Sequence, residues 1–209
     1  NKVKIDIPEV EIINVLKSNI AYNLITKDGP GFQPGSRNYD KSWIRDGSIQ
    51  GAVLLKFGFH DEMREFIDWY ATYQYETGEV PPIVRRIEGP EIVEEYDSQG
   101  EFIFAIFQHY LFTKDKRWLK TKLPCVIKTL EYLVHLRSQR LTPEYKQSLK
   151  KRVFYGILPD SISHEGYVPP VHSCWDNFWA LCGWKDAKSI FAILDRDDLV
   201  QWAENEYQA

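Results

Sequence analysis

The residues with the clearest chemical potential are Ser173-Cys174-Trp175-Asp176-Asn177-Phe178-Trp179, where an acid follows an indole at the mouth of an apolar helical run. A carboxyl held against bulky rings is partly desolvated, which raises its pKa towards the range useful for proton donation. Asp176 therefore reads as a general acid, against the plainer reading of an Asp that caps a helix start. Two earlier segments have the same character: Trp43-Ile44-Arg45-Asp46-Gly47 and Glu94-Glu95-Tyr96-Asp97-Ser98-Gln99-Gly100. Each sets charged groups able to make paired hydrogen bonds beside a glycine and an aromatic, as recognition of a polyol requires. Three such helix mouths imply one shared cleft.

The elements that must position these groups are helices. Pro8-Glu9-Val10-Glu11 opens the first, and Ile12, Ile13, Leu16, Ile20 and Leu24 recur at helical spacing until Asp28-Gly29-Pro30-Gly31 stops it. The pattern predicts a second helix from about Ser48 to Phe57, ending at Gly58, and a third from Asp61 to about Tyr75, closed by Gly78-Glu79-Val80-Pro81-Pro82. A fourth runs from Ser98 to Thr113. A fifth runs from near Asp115 to about Leu141, with Pro124 expected to kink or split it, and Thr142-Pro143 opens a short helix to about Lys151. From Phe154 to His172 the chain reads as a long loop of the kind kept for function. Helices from about Asn177 to Cys182, Asp186 to Leu194 and Asp197 to Tyr207 complete it. No strand pattern stands out, so the expected class is all-α, built from helical hairpins in a single domain over residues 1–209.

Composition narrows the partners. Seven Trp, twelve Tyr and eleven Phe supply flat apolar faces for stacking on sugar rings. A net charge of −4 with interspersed signs provides no basic stripe, so no nucleic acid is expected as a partner. No apolar run approaches the length of a membrane span, so no membrane partner is expected either. Cys125, Cys174 and Cys182 show neither a disulfide framework nor a zinc spacing, and nothing beside Cys174 argues for an activated thiolate. The five His lack HxxxH or HExxH spacing, so neither metal nor cofactor is expected. His164, Glu165 and His172 are candidates for a leaving-group subsite in the long loop.

The order helix, WIRDG, helix, helix, GEVPP, acidic DSQG, helix, helix, long loop, CWDNFW, helix resembles the N-terminal half of the (α/α)6 toroid of glucoamylases and related six-hairpin glycosidases, with trehalase-like features. The resemblance runs from about Pro8 to Trp202. It implies a carbohydrate substrate and an inverting glycoside hydrolase acting on an α-linked oligosaccharide or glycoside. In that scheme Asp176 is the general acid and Arg45 and Asp46 grip hydroxyls of the terminal sugar. Asp97 takes a further hydroxyl, Trp43 and Trp175 wall the pocket, and His172 adds a substrate contact. Glu95, in the Glu94-Glu95 pair, is the substitute acid, although that pair precedes the fourth helix rather than the sixth.

The chain departs from the family pattern in size. A ring of about twelve helices needs roughly 350 to 450 residues at ordinary helix and loop lengths, and 209 supply about half. Inversion also needs a second carboxylate roughly 6.5–9.5 Å from the acid to activate water, and the resemblance places that base in the other half. The expected partner is therefore the second half of the ring, as further sequence or another chain. A non-catalytic carbohydrate-binding module, or a sugar phosphorylase on the same scaffold, is the alternative.

Overall fold

The computed structural model describes residues 3–35, 39–163 and 166–209. Eight α-helices among these residues carry the fold: α1 (Val10–Ile25), α2 (Ile44–Lys56), α3 (His60–Tyr70), α4 (Asp97–Thr113), α5 (Lys116–Ser138), α6 (Pro143–Gln147), α7 (Cys174–Ile193) and α8 (Asp197–Gln208). Short connections join α2 to α3, α4 to α5 and α7 to α8, making three helical hairpins. The first helices of these pairs lie side by side, with α4 between α2 and α7.

One apolar cluster runs through all three hairpins, from Phe32 and Leu54 through Phe66, Phe102 and Leu130 to Phe191 and Ala203. Glycines set its closest approaches. A Cβ on Gly100 of α4 would stand 1.9 Å from the Trp179 carbonyl oxygen of α7, and one on Gly183 would stand 3.0 Å from Gly100 itself. The α4–α7 contact is therefore backbone against backbone, which only glycine permits. Gly47 on α2 similarly receives the Phe66 ring of α3.

The chain is mostly helical, in line with the expected class, but it also carries two small antiparallel sheets that the absence of a strand pattern did not predict. Strands β1 (Ser42–Trp43), β2 (Ile83–Arg85) and β3 (Gly89–Glu91) form one, with Trp43 opposite Ile83. Strands β4 (Ser161–Ser163) and β5 (Tyr167–Val171) form a hairpin inside the expected long loop. None exceeds five residues, too short for a two-residue alternation to register against helical spacing.

Helix limits also differ. Helix α2 begins at Ile44 instead of Ser48, so Arg45, Asp46 and Gly47 occupy its first turn and Trp43 the cap position. Helix α7 is continuous where two helices were expected, because Gly183 serves contact with α4 rather than termination. Helix α5 likewise continues through Pro124, α3 gives way to a 3-10 turn at Ala71–Tyr73, and α6 stops at Gln147.

Candidate active site

The first turns of α2, α4 and α7 meet at one end of the helical layer. Their meeting is visible in a single carboxylate oxygen, Asp97 Oδ2 of α4. Arg45 of α2 donates to it from Nε at 2.8 Å and approaches it with Nη2 at 2.6 Å, and the Trp175 indole of α7 donates at 2.7 Å. Arg45 Nη2 also pairs with Glu95 Oε2 at 3.2 Å, and its Nε lies 3.6 Å from Glu101 Oε1. Burial opposes the charge on this guanidinium, but Asp97, Glu101 and Glu95 together outweigh it and raise the Arg45 pKa above its ordinary value.

Above this cluster opens a cleft of about 360 Å³, lined by Arg45, Asp46, Ile162, Ser163, Ser173, Trp175 and Asp176. Trp175 is 48% exposed and walls the cleft with its ring. Asp176 is only 3% exposed. It is not the helix cap: Ser173 holds that position, its hydroxyl accepting from the Asp176 N–H at 3.3 Å. The Asp176 carboxyl is thereby free for another role, and its Oδ2 accepts from Ser161 Oγ on β4 at 2.5 Å. Burial pushes its pKa from an ordinary 3.8 to about 6, with the nearby Asp97 charge adding to the rise. Hydrogen bonds from Ser161, the Tyr96 N–H and Ser173 work against the rise without cancelling it.

Such an arrangement can do two things. A carboxyl titrating near pH 6 in a half-enclosed cleft still carries its proton on a useful fraction of molecules near neutrality, as a general acid must. The Arg45 and Asp46 pair and the Trp175 ring present donors, acceptors and an apolar wall to a small polar ligand.

The expected site residues separate into those at the cleft and those elsewhere. Arg45, Asp46, Trp175 and Asp176 line it, and Asp97 sits directly beneath, holding Arg45 and Trp175. Glu95, the substitute acid, is buried against Arg45 and is not among the lining residues. Trp43, expected as a second wall, is 6% exposed on β1, with the Lys41 ammonium 5.4 Å above its ring. Both residues of this two-residue strand, Ser42 and Trp43, are buried. His172, at the end of β5, stacks on Phe154 at 4.0 Å and receives Arg140 Nε at 3.5 Å, apart from the lining residues. His164 and Glu165 lie outside the described residues. No group of three or more His, Cys, Asp or Glu among the described residues is arranged to hold a metal ion.

Two participants escaped the sequence reading. Ser161 falls within the expected loop, and only the hairpin fold brings it to Asp176 fifteen residues away. Glu101 lies within the expected apolar fourth helix. Its signal was available, since an acid one turn after Asp97 within Phe102, Ile103, Ala105 and Ile106 points inward with them.

No protein-family model matches the chain, and no curated protein matches it. Among solved structures it is similar to an alpha-L-rhamnosidase from Dictyoglumus thermophilum, with 14% sequence identity and a TM-score of 0.62. The match covers 93% of this chain and 22% of that one, so the chain spans less than a quarter of its neighbour's length. The likeness establishes a helical fold of the kind found in a glycosidase.

Proposed function

We propose that this chain is a glycoside hydrolase, or the N-terminal half of one, in which Asp176 protonates the leaving oxygen of an α-linked glycoside. The observation that carries the reading is Asp176 itself: a buried carboxyl in a cleft, with its pKa raised to about 6 and its helix-capping role taken by Ser173. Arg45 and Asp46 would hold hydroxyls of the terminal sugar, and Trp175 would lie along its apolar face. Asp97 would act mainly by fixing Arg45 and Trp175, a more indirect role than the hydroxyl contact the resemblance implies. The glycosidase fold of the structural neighbour supports the same reaction class.

The three hairpins are half of a six-hairpin (α/α)6 ring in this reading, with α2, α4 and α7 as inner helices. Apolar residues left open on two of these helices support that: Ile49 and Val53 on α2, and Phe178 and Leu181 on α7, are each at least 41% exposed. The remaining hairpins, as further sequence or as a second chain, would cover these faces and supply the carboxylate that activates water for inversion. A glucoside is the first substrate to try, and the structural neighbour adds rhamnosides to the panel.

The test is release of reducing sugar from α-linked glucosides, mannosides and rhamnosides by the chain and its Asp176→Asn variant, with and without phosphate. Release lost in the variant and indifferent to phosphate supports hydrolysis. Dependence on phosphate would indicate a phosphorylase, and sugar binding without turnover a binding module.

A further inference from the structure

Three carboxylate oxygens beneath the cleft are buried without a hydrogen-bond partner: Asp97 Oδ1, Glu101 Oε1 and Glu101 Oε2. Leaving such an atom unsatisfied in the interior costs about 1–3 kcal/mol, more when it is charged, so three together demand an explanation. Glu101 is wholly buried and Asp97 is 1% exposed. The titratable and charged groups facing Glu101 are Arg45 and Asp46 from α2, Asp97 from its own helix and Tyr70 from α3. Tyr70 cannot satisfy it, because its hydroxyl donates to the Pro81 carbonyl at 2.9 Å. Arg45 is turned towards Asp97 and Glu95, leaving its Nε 3.6 Å from Glu101, beyond hydrogen-bonding reach.

We propose that Glu101 is a positioning residue that carries its own proton: the neutral carboxyl donates to Asp97 Oδ1, leaving Asp97 Oδ2 to receive Arg45 and Trp175. One proton then accounts for both residues. Asp97 gains the donor its second oxygen lacks, and Glu101 ceases to be a buried charge opposed by a neighbouring one. Burial first, and the Asp97 charge next, push the Glu101 pKa well above the ordinary carboxylate range, with Arg45 opposing them only in part. A carboxylate held at both oxygens cannot rotate. Fixed in that way, Asp97 sets the guanidinium of Arg45 and the indole of Trp175, two of the groups that line the cleft. The inference concerns how the cleft keeps its shape and holds whichever ligand it takes.

The experiment is nuclear magnetic resonance on the chain labelled with carbon-13 at glutamate carboxyls and nitrogen-15 at tryptophan. At pH 7 one glutamate carboxyl should resonate as the neutral acid and should vanish in E101Q. The amide of E101Q can still donate to Asp97, so the Trp175 indole N–H should keep its position there. In E101M, which has no donor, that resonance should shift. A spectrum with every glutamate ionised at pH 7 overturns the proposal. So does an indole signal unmoved in E101M, or moved as far in E101Q as in E101M. Should neither variant fold, the unmodified chain decides: a glutamate neutral at pH 7 supports the proposal and its absence overturns it.

Discussion

At the residue scale, the opposing demands on Asp176 make its role measurable without a substrate. Its folded pKa of about 6 lies above the ordinary 3.8, so the folded state prefers the protonated form. The stability this provides is complete below about pH 3.8 and is lost as pH rises through about 6. Ionised Asp176 thus costs the fold about 1–3 kcal/mol above that range. Asp176→Asn keeps an oxygen for Ser161 and removes the charge, so it should raise the unfolding free energy at pH 7–8 by that amount in urea titrations. An Asp that served as a helix cap would give the opposite sign. His109 supplies a contrasting slope. It is 1% exposed, its ring centroid lies 4.2 Å from that of Trp118 in a tilted pair, and burial first of all lowers its pKa to about 4. Stability from neutral His109 is therefore full above about pH 6.5 and lost towards pH 4, by about 2–3 kcal/mol. His109→Gln should flatten that acid limb, and Asp176→Asn should steepen the net fall by removing a term of opposite sign.

At the element scale, the reading of the sequence succeeded where charge met apolar periodicity. The helix mouths before α2, α4 and α7 were visible because each motif interrupts a hydrophobic run, and the structure brings Arg45, Asp97 and Trp175 into hydrogen-bond contact there. The strands were not visible. Ser42–Trp43 and Ser161–Ser163 are two and three residues long, and their partners are distant or lie across a bulge. The expected break after Cys182 is absent, because Gly183 there admits the α4 backbone, and a glycine that ends a helix and one that admits a neighbouring backbone look alike in sequence. The difference has a measurable consequence. Gly100→Ala would drive a methyl into the Trp179 carbonyl, whereas Gly51→Ala meets only the flexible end of Met63. The first should lower unfolding free energy by about 1–3 kcal/mol or more, and the second by distinctly less, as thermal or denaturant unfolding will show.

At the scale of the whole molecule, the function proposed above makes the chain one half of a ring. In that reading further helices would cover the apolar faces of α2 and α7 and would bring the water-activating carboxylate with them. If so, charged substitutions at Phe178 and Leu181, which are 67% and 41% exposed, should leave the isolated chain folded. The same changes should weaken its association with the remaining hairpins, as sedimentation would register. The polar floor of the cleft should survive those changes, because Arg45, Asp97 and Glu101 are all held within the described residues. In that reading the base and the remaining substrate contacts would come from the opposite rim of the cleft.

The most direct test of the central claim compares Asp176→Asn with the unmodified chain on two glycosides of one sugar, one with a sugar alcohol as leaving group and one with fluoride. Fluoride departs with little help from a proton donor. A general acid at Asp176 predicts a loss of about 10²–10⁴-fold on the first substrate and a much smaller loss on the second. Equal losses on both would contradict the account and reduce Asp176 to a structural residue of the cleft.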